Sequence, residues 1–304
     1  MKRLDTSEIV FKILSYVLLT LFGLACVYPL IYVLAVALSD IDAVSAGKVI
    51  IIPLVKGSEE GTYHFGFKFQ AFWDVLCDKK FWLAYCNTIF FTFYGTLVSM
   101  IIAITGAYAL SKTRLLWGRG FNFLLTFTMW FSAGLIATYQ NFVDLGIKNR
   151  WGFIFGLGFN AFNIILLRNG FKGVPSEIEE AATIDGATEF QLLTKIYIPM
   201  SKSSIATVTM FYALSRWNGY YWASVLLDEE NQPLQVYMRN CLDKGGGEDV
   251  WDKPYHQNSW QFAMIACSIV PILILYPQMQ KYFAAGVNPV SYTHLRAHET
   301  GAYL

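Results

Sequence analysis

Residues 179–187 read Glu179-Glu180-Ala181-Ala182-Thr183-Ile184-Asp185-Gly186-Ala187, and residues 196–199 read Ile196-Tyr197-Ile198-Pro199. Ser176 and Glu179 have the spacing of a capping box, in which two side chains cap the start of a helix. Gly186 favours the left-handed conformation that ends a helix. A second capping box, Thr188–Gln191, predicts another helix that stops at Pro199. The sequence therefore predicts two short helices joined at Gly186, a segment that we call the elbow (residues 175–202).

The composition is that of a membrane protein. Of the 304 residues, 55% are hydrophobic and 15% are charged, whereas soluble domains contain about 25% charged residues. The mean hydropathy is +0.40. The net charge is only +1, and the sequence contains no basic tract of the kind that binds nucleic acid. We therefore expect an all-α, polytopic transmembrane helical bundle that has the lipid bilayer as its main partner.

Six apolar segments approach the length of about 20 residues that a membrane-spanning helix needs. They cover residues 13–38, 86–110, 121–138, 151–167, 205–227 and 262–283. The first segment is too long for a cleaved signal peptide, and we expect it to be retained. The predicted organisation is an N-terminus (1–12), a first span (13–38), an outer loop (39–85), a core of five spans (86–286) and an atypical tail (287–304).

Basic residues predict the orientation of these spans. Short loops on the cytoplasmic side of a membrane are enriched in Lys and Arg. The loop after the second span contains Lys112, Arg114 and Arg119 without any acid. The N-terminus and the loop after the fourth span are basic as well. We therefore expect both termini and the elbow in the cytoplasm, and the long loops 40–80 and 228–259 outside the cell.

The elbow has two interpretations. Its alanines leave a slim face that could enter a groove of another protein, and its carboxylates could pair with basic residues there. Alternatively, the two helices lie flat on the lipid headgroups. Three acids near the anionic inner leaflet oppose this second arrangement. The sequence therefore favours a docking site for a protein partner.

The same residues resemble a known motif. Glu180-Ala181-Ala182, Asp185-Gly186-Ala187, Ile196 and Pro199 match the EAA loop of the integral membrane subunits of ABC importers. Other stretches look like carbohydrate-importer permeases of the maltose-transporter type: 129–136, 166–168, 217–218, 233–235 and 276–283. Within that group, the chain is most similar to permeases that serve lipoprotein receptors for oligosaccharides in Gram-positive bacteria. The resemblance covers residues 9–286, with departures at Ala137 and at Lys202-Ser203, where relatives usually have proline.

This resemblance implies a type I ABC importer permease fold with six spans in a bacterial cell membrane. It also implies three protein partners: a second permease, a cytoplasmic ATPase dimer that carries ATP and Mg, and an extracellular solute-binding protein. The chain itself would hold no cofactor or metal and would catalyse no reaction. Coupling to the ATPase would fall to Glu179, Glu180, Ala181, Ala182, Asp185, Gly186, Ala187, Ile196 and Pro199.

Two sequence features separate this function from the alternatives. No GxxxxGK[ST] phosphate loop occurs, so we expect ATP hydrolysis on a partner. No combination of a nucleophile and a base stands out, which disfavours an enzyme. The remaining alternative is an ion-gradient-driven secondary transporter or channel. That class carries acidic residues inside its spans and inverted repeats, whereas Arg216 is the only clear charge within a span of this sequence.

Several polar residues are candidates for the lining of a translocation pathway. Asn160 and Asn163 lie three residues apart, and we expect them on one helical face, where they would bind a sugar or join two helices. A second group interrupts the fifth span and comprises Arg216, Trp217, Asn218 and Tyr220. These residues would either offer hydrogen bonds and rings to a sugar or line the outer mouth of a broken span. Both interpretations remain open.

Two further features concern the outer loops and the tail. Cys77 and Cys241 fall in the predicted outer loops, where a disulfide between them is conceivable. The tail contains His294 and His298 but has no apolar period. A metal-binding tail is one interpretation of these histidines. We favour a disordered end or a stretch that is foreign to the natural protein.

Overall fold

A computed structural model describes residues 6–59, 61–131, 133–243 and 257–286 of the chain. The predicted tail (287–304) lies outside these residues. The helices are α1 (Thr6–Ala37), α2 (Ile41–Ser45), α3 (Gln70–Cys77), α4 (Lys79–Ser111), α5 (Gly118–Trp130), α6 (Leu135–Asp144), α7 (Arg150–Gly156), α8 (Ala161–Lys172), α9 (Ser176–Ile184), α10 (Glu189–Leu192), α11 (Ile198–Met200), α12 (Lys202–Trp217), α13 (Tyr221–Leu226), α14 (Leu234–Asp243) and α15 (Gln257–Gly286). A π-helical turn (Leu193–Tyr197) joins α10 to α11, and a 3-10 turn (Glu229–Asn231) precedes α14. The prediction of an all-α chain is confirmed.

A short antiparallel hairpin is added to this helical fold between α2 and α3. Strands β1 (Leu54–Lys56) and β2 (Tyr63–Phe65) pair with Leu54 opposite Phe65 and Lys56 opposite Tyr63. The hairpin lies in the predicted outer loop, which is therefore partly ordered by its own secondary structure.

Three helices of the described chain are long and apolar enough to cross a membrane: α1, α4 and α15. Two bent pairs, α5 with α6 and α7 with α8, raise the number of candidate spans to as many as five. The predicted count of six thus stays a prediction. The difference arises at residues 205–227, where the helix is divided into α12 and α13 by the break at Asn218 and Gly219. A polar and a flexible residue at this point end the hydrogen-bond ladder of the helix.

Helix boundaries also differ from the apolar segments of the sequence. Helix α4 begins at Lys79 rather than at residue 86, because polar residues can extend a helix beyond the hydrocarbon region of a bilayer. The fourth predicted span, residues 151–167, consists of α7 and α8, which are bent by 55°. Its glycine-rich centre therefore holds a break rather than a continuous helix.

One compact unit of the chain lies within Met1–Trp82 and Tyr237–Pro271. Its core joins the end of α1 to α2 through Ala35, Val36 and Ala43, with Phe262 of α15 packed against them. Asp40 caps α2 by accepting a hydrogen bond from the Ile41 N–H at 2.8 Å. Burial alone raises the pKa of Asp40, but the hydrogen bond and charge of Lys68 outweigh it and lower that pKa below its ordinary value.

Cys77 and Cys241 both belong to this unit, and the structure shows two separate thiols rather than a disulfide between them. Cys77 is exposed, whereas Cys241 is buried. The disulfide that the sequence leaves open is thus not formed in the structure.

The other compact unit lies within Leu83–Val236 and Ile272–Leu304. Its larger core joins α4, α8, α12 and the elbow, and it includes Ala107, Leu167, Leu192 and Val208. A second core surrounds Phe91, Ile154 and Leu226. Gly170 of α8 allows a close approach of α12, since a Cβ there would lie 2.6 Å from the Cβ of Ser204. Small residues at such crossings are typical of helix packing in membranes.

Candidate functional site

The elbow consists of two helices joined at Gly186, as predicted. Helix α9 ends at Ile184, and Gly186, two residues later, has a φ of +80°. This left-handed conformation favours glycine. The Ala187 N–H donates to the Ala182 carbonyl at 2.9 Å, and the Gly186 N–H donates to the Thr183 carbonyl at 3.1 Å. These two bonds form a Schellman motif, which satisfies carbonyls that the end of a helix leaves free. The turn between the two helices is therefore closed by its own backbone.

Helix α10 begins with the predicted capping box. The Thr188 hydroxyl accepts a hydrogen bond from the Gln191 N–H at 3.3 Å, and the Gln191 side chain accepts one from the Thr188 N–H at 2.9 Å. The two groups satisfy each other's free donors at the start of the helix. This prediction is confirmed.

The first predicted capping box does not form. Ser176 is the first residue of α9, Pro175 occupies the N-cap position, and no side chain caps this helix. Glu179, the expected second member of the box, instead accepts hydrogen bonds from Lys112 and Tyr197. A tertiary contact has therefore replaced the local one.

Pro199 does not stop the second helix of the elbow, contrary to the sequence prediction. The chain continues from the π-helical turn into α11, and Pro199 lies within α11. A proline has no N–H, and its ring clashes with the carbonyl four residues earlier in a regular helix. The wider π-helical turn provides a different path for the backbone before Pro199. In it the Ile198 N–H donates to the Leu193 carbonyl.

One side of the elbow packs into the larger core of this unit. Leu192 and Tyr197 are buried there, and Ala182, Ala187 and Ile196 are partly buried against the same core. Three residues of the predicted coupling motif thus hold the elbow onto the helical bundle. Small side chains at Ala182 and Ala187 let the backbone of the elbow lie close to its neighbours.

The opposite side of the elbow is exposed and combines apolar with acidic groups. Ile184 is 86% exposed and Phe190 is 74% exposed. Glu180, Ala181, Asp185 and Gly186 are exposed beside them. We call Glu180, Ala181, Ile184, Asp185 and Phe190 the elbow surface. Large apolar side chains with this degree of exposure, flanked by polar groups, are typical of protein interaction sites.

By their spacing in the sequence, Phe190, Leu192, Leu193 and Ile196 form one apolar stripe of the second elbow helix, a pattern that predicts all four on its packed side. The structure places Leu192, Leu193 and Ile196 of that stripe against the core but leaves Phe190 exposed. The helix is too short for its apolar face to be fixed by periodicity. The sequence did contain one signal for an exposed apolar tip, namely the large apolar residues Ile184 and Phe190 on either side of Gly186.

The acidic residues of the elbow differ in their partners. Glu179 forms an ion pair with Lys112 at 2.6 Å, and Glu189 forms one with Arg114. Glu180 and Asp185 form no ion pair in the part of the chain that the structure describes. Glu177 is likewise exposed and forms no ion pair among the described residues. The carboxylates that remain for a partner are therefore those of Glu177, Glu180 and Asp185.

The predicted pair Asn160 and Asn163 does not share a helical face. Asn160 is the N-cap of α8, and its side chain accepts a hydrogen bond from the Asn163 N–H at 3.0 Å. Asn163 is buried. The break between α7 and α8 moves Asn160 out of the helix that the sequence suggested, so that its side chain serves the local backbone.

Arg216 binds the backbone at the same break. Its guanidinium donates to the carbonyls of Leu157 and Ile154, the latter at 3.4 Å, and to the Ser99 hydroxyl at 3.3 Å. Carbonyls at the C-terminal end of a helix lack partners and carry partial negative charge. Gly95 of α4 gives Arg216 room, since a Cβ there would lie 2.9 Å from the Arg216 Nε. This charge therefore caps the end of α7.

The other candidates of this group differ in their exposure. Trp217 is buried, and its ring meets that of Tyr85 edge to face at a centroid distance of 5.9 Å. Asn218 and Tyr220 are exposed at the break between α12 and α13. Of this group, Asn218 and Tyr220 are the two residues that the structure leaves exposed.

A family model described as a binding-protein-dependent transport system inner membrane component matches residues 3–289. The chain belongs to this permease family. A match to an inner membrane component agrees with the long apolar helices of the chain. The match includes residues 175–202, so the elbow is part of a transport permease.

Several relatives of this permease have been named. The polygalacturonan/rhamnogalacturonan transport system permease protein YtcP of Bacillus subtilis is 34% identical over 91% of this chain and 96% of its own length. The arabinooligosaccharides transport system permease protein AraQ of Halalkalibacterium halodurans is 26% identical over 68% of this chain and 73% of its own length. Both are similar to most of this chain rather than to one segment.

A solved structure also matches. The crystal structure of a bacterial ABC transporter involved in the import of the acidic polysaccharide alginate contains a chain that is 42% identical to this one. The match covers 93% of this chain and 100% of that chain, with a TM-score of 0.84. The type I ABC importer permease fold expected from the sequence is thereby confirmed.

Proposed function

We propose that the chain is one of two permease subunits of an ATP-driven, binding-protein-dependent importer of oligosaccharides. The observation that carries the coupling part of this proposal is the elbow surface. Ile184 and Phe190, one on each side of Gly186, are both exposed and are called the apolar tip here, and Glu180 and Asp185 are exposed in the same segment. The other side of the elbow is packed into the bundle. A displacement of the tip by a partner would therefore reach the helices.

The partner at the elbow surface would be the cytoplasmic ATPase dimer, which would supply the bound ATP and Mg. Its groove would take the apolar tip, and its basic residues would meet Glu180 and Asp185. The permease subunit would hydrolyse nothing itself. A second permease would complete the pathway, and an extracellular solute-binding protein would deliver the sugar to the outer loops.

The substrate class rests on the relatives. Proteins similar to this chain are named for polygalacturonan, rhamnogalacturonan and arabinooligosaccharides, and the matching structure belongs to an importer of alginate. We therefore propose an oligosaccharide as the solute. Asn218 and Tyr220 offer an amide and a ring at an exposed break, groups that can hydrogen-bond and stack with a sugar.

The orientation follows the distribution of basic residues. With the elbow in the cytoplasm, the N-terminus at the start of α1 also lies in the cytoplasm, and the hairpin of β1 and β2 lies outside the cell. This arrangement places the elbow on the side of ATP, as coupling requires.

Uptake into vesicles tests the proposal. The permease is reconstituted with the second permease, the ATPase and the binding protein, and uptake of labelled oligogalacturonide, oligoalginate and malto-oligosaccharide is measured. We expect uptake of at least one of them to require both ATP and the binding protein. Gly186→Pro and Glu180→Lys should lower it by about tenfold or more, because proline cannot adopt the φ of Gly186 and lysine reverses the charge of the docking surface.

Glu8→Lys is the matched control, because it makes the same charge change at an exposed position in the first turn of α1, outside both the elbow and the outer loops. It should leave uptake unchanged. Uptake that is driven by an ion gradient without ATP would overturn the proposal, as would normal coupling in both elbow variants.

A further inference from the structure

A buried lysine joins the end of α4 to the elbow. Lys112 follows the last residue of α4, and its side chain is only 9% exposed. Its ammonium group lies 2.6 Å from Glu179 Oε1 and 3.0 Å from the Tyr197 hydroxyl. It also lies over two rings, 4.4 Å from the centroid of Tyr108 and 4.1 Å from that of Tyr197. The ammonium is thus enclosed by a carboxylate, a hydroxyl and two aromatic faces.

The carboxylate of Glu179 closes this arrangement. Its Oε1 accepts from Lys112, and its Oε2 accepts from the Tyr197 hydroxyl. Burial by itself raises the pKa of Glu179, but the hydrogen bonds from Lys112 and Tyr197 outweigh burial and lower that pKa below its ordinary value. Glu179 is therefore ionised at neutral pH and forms charge-assisted hydrogen bonds, which are stronger and shorter than neutral ones.

A second carboxylate of the elbow is held by the same stretch of chain. Glu189 of α10 accepts a hydrogen bond from the Tyr108 hydroxyl at 2.6 Å and another from Arg114. Arg114 also lies 3.8 Å from Glu179. Three elements of the elbow thus contribute one group each: α9 gives Glu179, α10 gives Glu189, and the π-helical turn gives Tyr197.

Resting on the proposed function, we propose that these contacts form a clamp that transmits displacement of the elbow to α4. The clamp consists of Tyr108, Lys112, Arg114, Glu179, Glu189 and Tyr197. Its members are positioning residues, since they act between the ATPase surface and the spans rather than on ATP or on the solute.

The need for a clamp follows from the kind of contact that holds the rest of the elbow. Ala182, Ala187 and Ile196 pack against the core through apolar surface. The hydrophobic effect has no direction, so these contacts allow the elbow to slide or turn on the bundle. Charge-assisted hydrogen bonds to three separate elements fix both distance and angle. The clamp therefore keeps the elbow from moving relative to α4, so that a displacement of the elbow surface also displaces α4.

The burial of Lys112 also excludes a simpler role as a free surface charge. Its ammonium donates to two oxygens and lies against two rings, so little of it remains for a lipid headgroup or a soluble anion. Surface ion pairs contribute little to stability, whereas removal of one member of a buried pair leaves the other charge uncompensated.

The test measures coupling rather than activity alone. The complete transporter is reconstituted with Lys112→Met, Lys112→Arg, Glu179→Gln or Tyr197→Phe, and both ATP hydrolysis and oligosaccharide uptake are recorded. We expect Lys112→Met and Glu179→Gln to lower the number of sugars transported per ATP by about tenfold, with the ATPase still bound. Tyr197→Phe keeps the ring and should lose about threefold. Lys112→Arg keeps the charge and should recover part of the coupling.

Lys172→Met is the matched control, because Lys172 is an exposed lysine in the last turn of α8. It should couple as the unmodified transporter does. Wild-type transport with normal coupling in Lys112→Met and Glu179→Gln would overturn the clamp and leave the proposed function intact. If the unmodified transporter takes up no sugar with ATP, the proposed function fails instead.

A structural defect is distinguished by assembly and by charge exchange. Each variant is purified through the ATPase subunit, and the amount of co-purified permease is measured. If Lys112→Met fails to assemble, Tyr197→Phe decides the matter, and its normal coupling would reject the clamp. The exchange Lys112→Glu with Glu179→Lys should restore more coupling than either single change gives, and an additive loss would contradict a direct transmission between the two groups.

Discussion

At the residue scale, the acids of the elbow have different roles although they are close in sequence. Glu179 lies beside Glu180, yet the first contacts Lys112 within the chain while the second is exposed. An α-helix has 3.6 residues per turn, so consecutive side chains lie about 100° apart around its axis. One of these two side chains therefore points to the bundle and the next points away from it. A motif that reads as a uniform acidic run is therefore divided between an internal contact and an external one.

The Glu179 contact predicts a pH dependence. A carboxyl group whose pKa is lowered in the folded state stabilises that state above its unfolded pKa, and the contribution is lost as the pH falls through the folded value. The ordinary value is 4.5, so the stabilising contribution should be complete near neutral pH and should be lost progressively below pH 4.5. Tyr197 stays protonated in this range, because burial and its bond to Glu179 raise its pKa.

The measurement compares the wild-type permease with Glu179→Gln in detergent. The variant should be destabilised near neutral pH by about 1–3 kcal/mol, the cost of weakening a buried charged hydrogen bond. This difference should shrink as the pH falls below 4.5, since the wild-type carboxyl then also becomes neutral. A difference that stays constant down to pH 3 would show that the charge of Glu179 contributes nothing.

At the element scale, the break between α7 and α8 is stabilised by side chains. The end of α7 is capped by Arg216 of α12, and the start of α8 is capped by Asn160. Backbone groups that leave a helix inside a bilayer must find partners in the protein, because lipid offers none. At this break, two side chains supply those partners.

Arg216 provides a test of this principle. Arg216→Met would leave the carbonyls of Ile154 and Leu157 without their donor and should destabilise the permease by about 1–3 kcal/mol. Thermal unfolding in detergent, followed by the loss of monodisperse protein, measures the effect. Arg119→Met is the matched control, since Arg119 is exposed in the first turn of α5. Equal melting temperatures for both variants would reject the capping role of Arg216.

At the scale of the whole molecule, the described helices expose large apolar surfaces that lipid or another subunit would cover. Within the apolar window of α1, no residue is buried inside the chain, and only 33% of the corresponding window of α4 is buried. Such helices cannot lie in water, since each exposed apolar side chain loses hydrophobic free energy there. These surfaces therefore need a cover, which we propose is supplied by the bilayer and by a second permease.

The proposed orientation can be tested through cysteine labelling. Cys77 is exposed at the end of α3, in the segment that we expect outside the cell. In a variant that keeps Cys77 alone, a maleimide that cannot cross membranes should label intact cells. A second variant that carries Lys195→Cys as its only cysteine should be labelled only after permeabilisation, because Lys195 is exposed on the elbow. The reverse pattern would invert the topology.

Local sequence signals were sufficient where the structure is local. The two-helix elbow, its turn at Gly186 and the capping box at Thr188–Gln191 depend on residues within a few positions of one another, and all three were predicted. The long apolar helices α1, α4 and α15 were predicted for the same reason, because hydrophobic length alone indicates a span. The EAA resemblance led to the permease family, which the comparisons confirm.

The tertiary structure decided what depends on contacts between distant residues. It turned Glu179 from a helix cap into the partner of Lys112, placed Phe190 outside the core, and used Arg216 to complete a broken helix. None of these follows from spacing along the chain, because the competing partners are far away in sequence and only the packing of helices brings them together. Sequence by itself thus determined the kind of protein and the existence of the elbow. The fold determined which of its charges face inward to the spans and which remain for a partner.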